Sequence, residues 1–229
     1  MRKLEERMGY TFHDPSLLKT ALSHSSYANE ILKDGLKSYE RLEFLGDSIL
    51  GFVTADYLLR TFPALHEGSL TRLRADLVCE KSLASTAEQL RLGDYLLLSH
   101  GEESGGGRKK TSIIADLVES VIAAIYLDGG LDEAKKFIYR FVLVDTDKRI
   151  RMNEDFKTRL QELVQQRRDQ VLTYHLLSET GPDHDKQFVA QVQLNGRPIG
   201  QGSGTSKKRA EQAAAEQALA LLRQEKAFS

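Results

Sequence analysis

The sequence contains few of the residues that mark secreted, disulfide-linked or membrane proteins. Its 229 residues include one cysteine, four prolines and no tryptophan. Because the single Cys79 cannot form an intramolecular disulfide, a disulfide-stabilised fold is excluded, and its apolar neighbours predict a core position. No apolar run is long enough to span a bilayer, and the charged residues 1–7 contain no apolar signal segment. We therefore expect a cytoplasmic protein without membrane association.

The chain has almost no excess of charge of either sign. Its 32 Lys and Arg nearly balance 33 Asp and Glu, which gives a formal net charge of −1 at pH 7. Any affinity for nucleic acid must therefore come from local clusters of cations and not from bulk charge. A hydrophobic fraction of 41% is sufficient for a substantial core, and the length allows one or two domains.

Three acids share one side of a helix predicted over residues 40–59. Glu40, Glu43 and Asp47 recur at i, i+3 and i+7. The apolar residues of the same segment repeat at the spacing of a core-facing stripe: Leu42, Leu45, Ile49 and Phe52. Neighbouring carboxylates repel each other. The acidic face is therefore either solvated or compensated by a divalent cation.

A second acidic pair lies in a predicted helix, residues 111–126, that is apolar on all sides. Asp116 and Glu119 are three residues apart in this segment, and the same helix contains no run of Lys or Arg at helical spacing that would neutralise them. Two ionised carboxylates on a buried helix are unfavourable unless they are paired or bind a metal ion. Two such pairs predict one site with only oxygen ligands, which suits Mg²⁺ or Mn²⁺ better than zinc or copper.

The first 147 residues predict helices and no alternating strand pattern. Helical periodicity covers residues 15–23, 40–59, 70–90, 111–126 and 131–144. Gly46 and Gly51 lie inside the second of these helices, where we expect a neighbouring backbone or a ligand to approach closely. The Gly-rich segment 101–107 lacks the ending of a nucleotide-binding P-loop. It predicts a flexible connection near the acidic site and no nucleotide cofactor.

The pattern changes after a polar linker at residues 148–152, which divides the chain into predicted domains 1–147 and 153–225. The second domain predicts, in order, a helix over 155–168, strands over 171–179, 188–194 and 197–201, and an Ala-rich helix over 207–222. Asn195-Gly196 is a strong hairpin signal between the last two strands. The order is α-β-β-β-α, which is an α+β fold with an antiparallel sheet.

Basic residues stand at the start of the last helix. The small and polar segment 202–206 leads directly into Lys207 and Lys208. Cations at a helix N-terminus oppose the helix dipole. An anion such as a nucleic-acid phosphate, held by backbone N–H groups and these lysines, would explain the arrangement. A solvated basic turn is the alternative.

Taken together, these segments resemble bacterial ribonuclease III over nearly the whole chain. The run of residues 39–48, Tyr-Glu-Arg-Leu-Glu-Phe-Leu-Gly-Asp-Ser, is similar to the family's signature, which often has Asn where this chain has Tyr39. Further similar segments are residues 21–28, 67–75 and 115–119, and then 160–162, 181–184 and 202–208. The resemblance implies an all-α endonuclease domain followed by an α+β double-stranded-RNA-binding domain.

The resemblance also implies a set of functional residues. The metal ligands would be Glu43, Asp47, Asp116 and Glu119, with Glu40 and Glu67 as supporting acids. The cofactor would be Mg²⁺, with Mn²⁺ as a substitute, and it would activate water for hydrolysis of a phosphodiester to 5′-phosphate and 3′-hydroxyl ends. A homodimer with Phe44 at its interface would cut both strands and leave short 3′ overhangs, although the sequence alone would place Phe44 in the core.

For RNA binding, the resemblance points to the shape of an A-form duplex. The residues expected at the minor grooves are Gln161, Glu162, Gln165 and His184, and those expected at the phosphates are Lys207 and Lys208. An ordinary exposed loop position is the alternative for His184. The roles implied for the enzyme are the processing of ribosomal RNA precursors and messenger RNA.

Two other classes of protein fit parts of the pattern. A non-catalytic duplex-RNA-binding protein could use the helical half only to dimerise, but we would expect it to lack one or more of the four acids, and all four are present. A di-iron carboxylate bundle requires Glu-x-x-His ligands, and none of the six histidines follows a Glu at that spacing. We interpret His24 as a structural residue.

Overall fold

The chain divides into two compact units, Met1–Met152 and Asn153–Ser229. We call them the N-terminal and C-terminal units and describe them from a computed structural model. The structure describes residues 1–144, 146, 156–165, 169–182 and 186–227, with side chains as far as residue 222. The linker predicted at 148–152 lies outside the described residues.

The N-terminal unit is helical, as predicted. Its helices are α1 (Arg2–Met8), α2 (Pro15–Ala21), α3 (Ser25–Tyr27), α4 (Glu40–Thr61), α5 (Glu67–Val78), α6 (Glu80–Leu90), α7 (His100–Ser104), α8 (Thr111–Gly129) and α9 (Leu131–Phe141). A π-helical turn covers Ala28–Leu32, and 3₁₀ turns cover Gly35–Lys37, Leu92–Tyr95 and Gly107–Lys109. Across the described ranges, no helix combines the length and apolar character that a membrane crossing requires.

Helix α8 is the centre of this unit. It is buried almost all round, and Leu117, Val121 and Ala124 are fully inaccessible to solvent. Helices α2, α4, α6 and α9 pack around it. This environment explains the nearly continuous apolar composition of α8, since a helix that contacts protein on every side has no face to expose.

The single helix predicted over residues 70–90 is wrong, because two helices occupy this segment. Helix α5 ends at Val78 and α6 begins at Glu80, with Cys79 between them in an extended conformation at φ −68° and ψ 154°. No Gly or Pro marks the break, so local sequence gives no signal for it. Cys79 is also exposed, which corrects the predicted core position, and its thiol contacts the backbone oxygen of Asp76 at 3.3 Å.

The apolar stripe predicted for α4 is correct for its first two turns only. Leu42 and Ile49 are buried and Leu45 is half-buried, but the side chain of Phe52 is 56% exposed. Two residues at 100° each place Phe52 about 160° away from the fully buried Leu50 around the helix axis. The buried side is instead continued by residues such as Leu50.

The N-terminal segment is attached to the end of α8 by Asp128. This carboxylate accepts hydrogen bonds from the Tyr10 hydroxyl at 2.6 Å and from the backbone N–H groups of His13 and Asp14, both at 2.8 Å. Burial opposes ionisation of Asp128, but these hydrogen bonds outweigh that effect and lower its pKa to about 2. The ionised carboxylate therefore holds residues 10–14 against the helix.

The C-terminal unit has the predicted α-β-β-β-α order. Its elements are α10 (Phe156–Gln165), β1 (Leu172–Thr180), β2 (Gln187–Leu194), β3 (Arg197–Gly204) and α11 (Lys207–Ala227). The strands form an antiparallel sheet in the order β1-β2-β3. Asn195 and Gly196 both have positive φ, at 51° and 79°, which is the conformation that a tight hairpin turn requires.

Helix α11 packs very closely on strand β3. A β-carbon at Gly200 would lie 2.3 Å from the backbone oxygen of Ala214, and one at Gly202 would lie 2.3 Å from the Ala214 nitrogen. Ala214 and Ala218 are fully buried on the facing side of the helix. The small residues at 202–204 therefore belong to β3 and permit this packing, so the strand predicted over 197–201 ended too early.

Candidate metal centre and nucleic-acid interface

Three carboxylates from two helices converge in the N-terminal unit. Glu43 comes from the first turn of α4, whereas Asp116 and Glu119 come from α8. One oxygen from each lies within 4.8 Å of the others, and all three residues are half-buried. We call this group the carboxylate cluster. Only oxygen ligands are present in it, and this chemistry suits a hard divalent cation.

A close approach of the two helices brings these acids together. Gly46 lies one turn after Glu43 and faces Glu119, so that a β-carbon on Gly46 would be 1.9 Å from the Glu119 backbone oxygen. Any other residue at this position would push α4 away from α8. The close approach expected at Gly51 is not observed, because nothing lies within 4 Å of the corresponding position there.

The acids of the cluster make each other harder to ionise. Burial, and after it the charges of Asp47, Glu43 and Asp116, together raise the pKa of Glu119 to about 7. The pKa of Glu43 is also raised, mainly by burial and next by the charge of Asp116. A bound cation would relieve both the repulsion and the unfavourable desolvation.

The other predicted acids lie outside the group of three. Asp47 is exposed, but its charge raises the pKa values of both Glu43 and Glu119. Glu40 is exposed at the start of α4, and its charge also raises the pKa of Glu43. Glu67 is exposed in the first turn of α5, where it accepts a hydrogen bond from the Thr71 hydroxyl at 2.8 Å. Their roles as ligand or supporting acids remain predictions.

Two residues near the cluster were not predicted as part of the site. Burial is the main cause of the raised pKa of Asp116, and the charge of Glu80, the first residue of α6, adds to it. No motif marks Glu80, because it lies inside the segment predicted as one continuous helix. The hydroxyl of Tyr39 donates a hydrogen bond to Oδ2 of Asp116 at 3.3 Å. The only sequence signal for Tyr39 is its departure from the Asn often found at this position.

Three residues on α10 form an exposed polar surface in the C-terminal unit. Gln161, Glu162 and Gln165 are all solvent-exposed, whereas Leu160 on the opposite side of the helix is fully buried. A helix in this orientation presents polar side chains that can hydrogen-bond to a partner without disturbing the core. His184, the loop residue expected at the minor groove, lies outside the described residues.

The predicted phosphate-contacting lysines are exposed at the start of α11. The Lys207 ammonium lies 3.9 Å from Oε2 of Glu179, and Lys208 is also solvent-exposed. The hydroxyl of Ser206 accepts a hydrogen bond from the Arg209 N–H at 3.3 Å, which satisfies one backbone donor of the first turn. The basic turn is therefore accessible to an anion, although part of the charge of Lys207 is already balanced.

Comparison with known proteins identifies both units. Residues 14–146 match the family model described as "Ribonuclease-III-like", and residues 156–222 match the double-stranded RNA binding motif. The first match alone covers more than half of the chain. The chain belongs to the ribonuclease III family.

Individual ribonucleases III are similar over almost the full length. Ribonuclease 3 of Listeria monocytogenes is 45% identical over 218 residues, which cover 95% of this chain and 95% of the relative. Ribonuclease 3 of Pelotomaculum thermopropionicum is 47% identical over 94% of this chain and 90% of its own length. The solved nuclease domain of ribonuclease III from Campylobacter jejuni is 43% identical, with a TM-score of 0.57, and covers 62% of this chain and 94% of that domain.

Membership of the ribonuclease III family decides between the nuclease and the two other classes of protein that fit parts of the sequence pattern. The chain is an endoribonuclease of the double-stranded-RNA-specific type, with an all-α nuclease domain and an α+β RNA-binding domain. The non-catalytic RNA-binding protein and the di-iron bundle are therefore excluded. Family membership also implies the use of a divalent metal ion, and the carboxylate cluster offers suitable ligands for one.

Two expectations about the surface of this ribonuclease III need correction. Phe44 is 78% exposed, so the core position expected from the sequence alone is wrong. The Gly-rich segment is not simply a flexible connection, because it forms α7 and the 3₁₀ turn Gly107–Lys109. Ion pairs fix this segment, one between Lys110 and Glu102 at 2.7 Å and one between Arg108 and Glu103.

Proposed function

We propose that the chain hydrolyses both strands of double-stranded RNA with Mg²⁺ held by Glu43, Asp116 and Glu119, and with Asp47 as a fourth ligand. The observation that carries this proposal is the convergence of three half-buried carboxylates within 4.8 Å. Like charges this close are unfavourable without a counter-ion. The donor set fits Mg²⁺, with Mn²⁺ as a substitute, because every ligand atom in it is a carboxylate oxygen.

The side chains of the cluster orient the reaction and supply no nucleophile. A divalent cation bound there would supply Lewis-acid activation of water and charge stabilisation of the phosphate oxygens. Asp116 and Glu119 hold their positions on a rigid, fully packed helix, and Glu43 is fixed by the contact of α4 with α8. Glu40 and Glu67 act as supporting acids. We expect 5′-phosphate and 3′-hydroxyl products.

The C-terminal unit selects duplex RNA by shape. An A-form duplex presents its 2′-hydroxyls in a wide minor groove, whereas its deep major groove excludes side chains. Gln161, Glu162 and Gln165 contact the minor groove from α10, and His184 contacts it from its loop. Lys207 and Lys208 contact phosphates. This division of roles would favour duplex shape over sequence.

Cleavage of both strands requires two sites, and we propose that a homodimer provides them. The apolar side chain of Phe44 is 78% exposed next to the acids of α4, and its burial in a dimer interface would remove this apolar surface from water. The related Campylobacter jejuni nuclease domain is described as having a region involved in dimer formation. Two sites across one duplex would leave short 3′ overhangs. Ribosomal RNA precursors and messenger RNA are the proposed substrates.

Replacement of Glu119 by Gln tests the metal assignment. We expect Glu119→Gln to reduce Mg²⁺-dependent cleavage by more than about 100-fold, since even outer partners of metal ligands contribute about 10- to 100-fold. Duplex binding measured in EDTA should be unchanged, because it depends on the other unit. Glu88→Gln, which alters an exposed acid on α6, is the matched control. Full activity of Glu119→Gln in Mg²⁺ would exclude this ligand assignment.

A further inference from the structure

We propose that Tyr39 is a positioning residue that fixes Asp116 relative to Glu43 and thereby sets the affinity of the carboxylate cluster for a divalent cation. This inference rests on the proposed function, because it assigns Tyr39 a role toward the metal ligands named there. It adds a residue from outside the acidic motif to the machinery of the site.

Tyr39 forms a hydrogen bond to an acidic residue of the cluster through its side chain and to another through its backbone. Its hydroxyl donates a hydrogen bond to Oδ2 of Asp116 at 3.3 Å, and its backbone oxygen accepts one from the Glu43 N–H at 2.8 Å. The side chain therefore reaches α8 while the backbone forms the first turn of α4. One residue links the two helices from which the cluster is assembled.

Tyr39 is itself held in one position. It is only 3% exposed, and its N–H donates a hydrogen bond to the Ser23 backbone oxygen at 2.8 Å. Its ring packs edge-on against the His24 ring, with 5.6 Å between the centroids. The Ser26 N–H in turn donates to Nδ1 of His24 at 3.1 Å, which supports the structural role predicted for this histidine. The ring of Tyr39 therefore has little freedom to move its hydroxyl.

The physical effect follows from the repulsion inside the cluster. Without a counter-ion, the Asp116 carboxylate is pushed away from its acidic neighbours by their charge. A hydrogen bond to one of its oxygens fixes the plane of the carboxylate and partly balances its charge. Groups that orient metal ligands in this way typically change metal affinity by about 10- to 100-fold. The 3.3 Å distance between the Tyr39 hydroxyl and Asp116 is long for a charged hydrogen bond. We therefore expect a change in metal affinity near the lower end of this range, about tenfold.

The chain contains a matched control for this hydroxyl. Tyr10 also donates its hydroxyl to an aspartate of α8, since it contacts Asp128 at 2.6 Å. The variants Tyr39→Phe and Tyr10→Phe each remove one such hydrogen bond and keep the aromatic ring. A purely structural role would make the two variants behave alike.

The experiment measures binding of Mn²⁺ alone to the full chain without RNA, for example from the free-ion signal in electron paramagnetic resonance. We expect Tyr39→Phe to bind Mn²⁺ about tenfold more weakly than the unmodified protein, and Tyr10→Phe to bind it equally well. The Mg²⁺ concentration for half-maximal cleavage should rise by a similar factor in Tyr39→Phe only. Duplex binding in EDTA should be unchanged in both variants, and melting curves verify that both are folded.

Glu119→Gln separates the failure of this inference from failure of the proposed function. If Glu119→Gln weakens Mn²⁺ binding but Tyr39→Phe does not, the role of Tyr39 is refuted and the metal assignment stands. An equal loss in Tyr39→Phe and Tyr10→Phe would also refute it, since that result indicates a general loosening of α8. If Glu119→Gln leaves Mn²⁺ binding unchanged, the metal assignment fails and the role of Tyr39 fails with it.

Discussion

Gly46 lies against the backbone carbonyl of Glu119, with no space between the two helices for a β-carbon. A β-carbon at this position would be 1.9 Å from the carbonyl oxygen. Because Glu43 and Asp47 flank Gly46 on α4, this contact sets the distance between them and the acids of α8. The geometry of the carboxylate cluster therefore depends on a residue that has no side chain.

Substitution of this glycine should disturb both the fold and the site. We expect Gly46→Ala to lower the free energy of unfolding by about 1–3 kcal/mol or more, which is typical of overpacking. The variant should also cleave RNA more slowly, because α4 moves away from α8. Gly51→Ala is the matched control in the same helix, since nothing lies within 4 Å of the added carbon. It should be stabilising by about 0.5–1 kcal/mol, because Gly weakens helix interiors. Urea unfolding of the two variants gives the comparison, and equal effects would contradict it.

The stability of the metal-free protein should decrease as the pH rises through the range in which Glu119 ionises. The pKa of Glu119 is about 7 in the folded protein and 4.5 ordinarily. The folded state therefore binds this proton more tightly, and stability is lost between about pH 4.5 and pH 7. Glu119→Gln, which cannot ionise, should be more stable than the unmodified protein by about 1–3 kcal/mol at pH 8 in EDTA.

The pH dependence of this difference is the decisive observation. The stabilisation by Glu119→Gln should shrink as the pH falls toward 4, where the unmodified carboxyl is protonated in both states. Glu88→Gln, on the exposed side of α6, should cause no comparable change. Denaturant unfolding at pH 4, 6 and 8 measures the effect, and a Glu119→Gln variant that is less stable at pH 8 would contradict it.

Loss of the basic turn of α11 should weaken RNA binding in a salt-dependent way. We expect the double variant Lys207→Ala, Lys208→Ala to bind duplex RNA more weakly. The plot of log K against log salt has a negative slope, and this slope should become less steep by about 2, which corresponds to the loss of two phosphate contacts. The adjacent lysines Lys135 and Lys136 of α9 provide a matched double substitution in the other unit. An unchanged salt slope for the first double variant would remove these lysines from the set of phosphate contacts.

A charge at the exposed aromatic residue of α4 should prevent dimerisation. Phe44 is 78% exposed, so Phe44→Asp should leave the fold of each subunit intact while placing a charge in the proposed apolar interface. Val171, which is 59% exposed in the C-terminal unit, gives the control variant Val171→Asp. Sedimentation equilibrium should find a monomer for the first variant and a dimer for the second. A dimeric Phe44→Asp protein would refute the interface.

The sequence predicted the elements of the fold better than their contacts. The periodic acids on α4 and α8 were visible because helical spacing alone aligns them. The break at Cys79 was not visible, since no Gly or Pro marks it in the sequence. Exposure of Phe44 and Phe52 was also missed, because α4 is apolar on more sides than it buries.

The site shows the same division between local pattern and tertiary contact. Residue type and spacing predicted one site shared by the acids of α4 and the pair Asp116 and Glu119, and the structure brings Glu43 together with that pair. The approach of Glu80 to Asp116 could not be predicted, because it depends on how α6 packs against α8. The same is true of the hydrogen bond from Tyr39, which joins residues 77 positions apart in the chain.

The central claim is that the carboxylate cluster makes this protein a metal-dependent nuclease for duplex RNA. Incubation of the purified chain with end-labelled double-stranded and single-stranded RNA, in Mg²⁺ and separately in EDTA, tests this claim most directly. We expect cleavage of the duplex only, and only with Mg²⁺, giving 5′-phosphate ends. Cleavage that persists in EDTA, or duplex binding without any cleavage in Mg²⁺, would contradict the account.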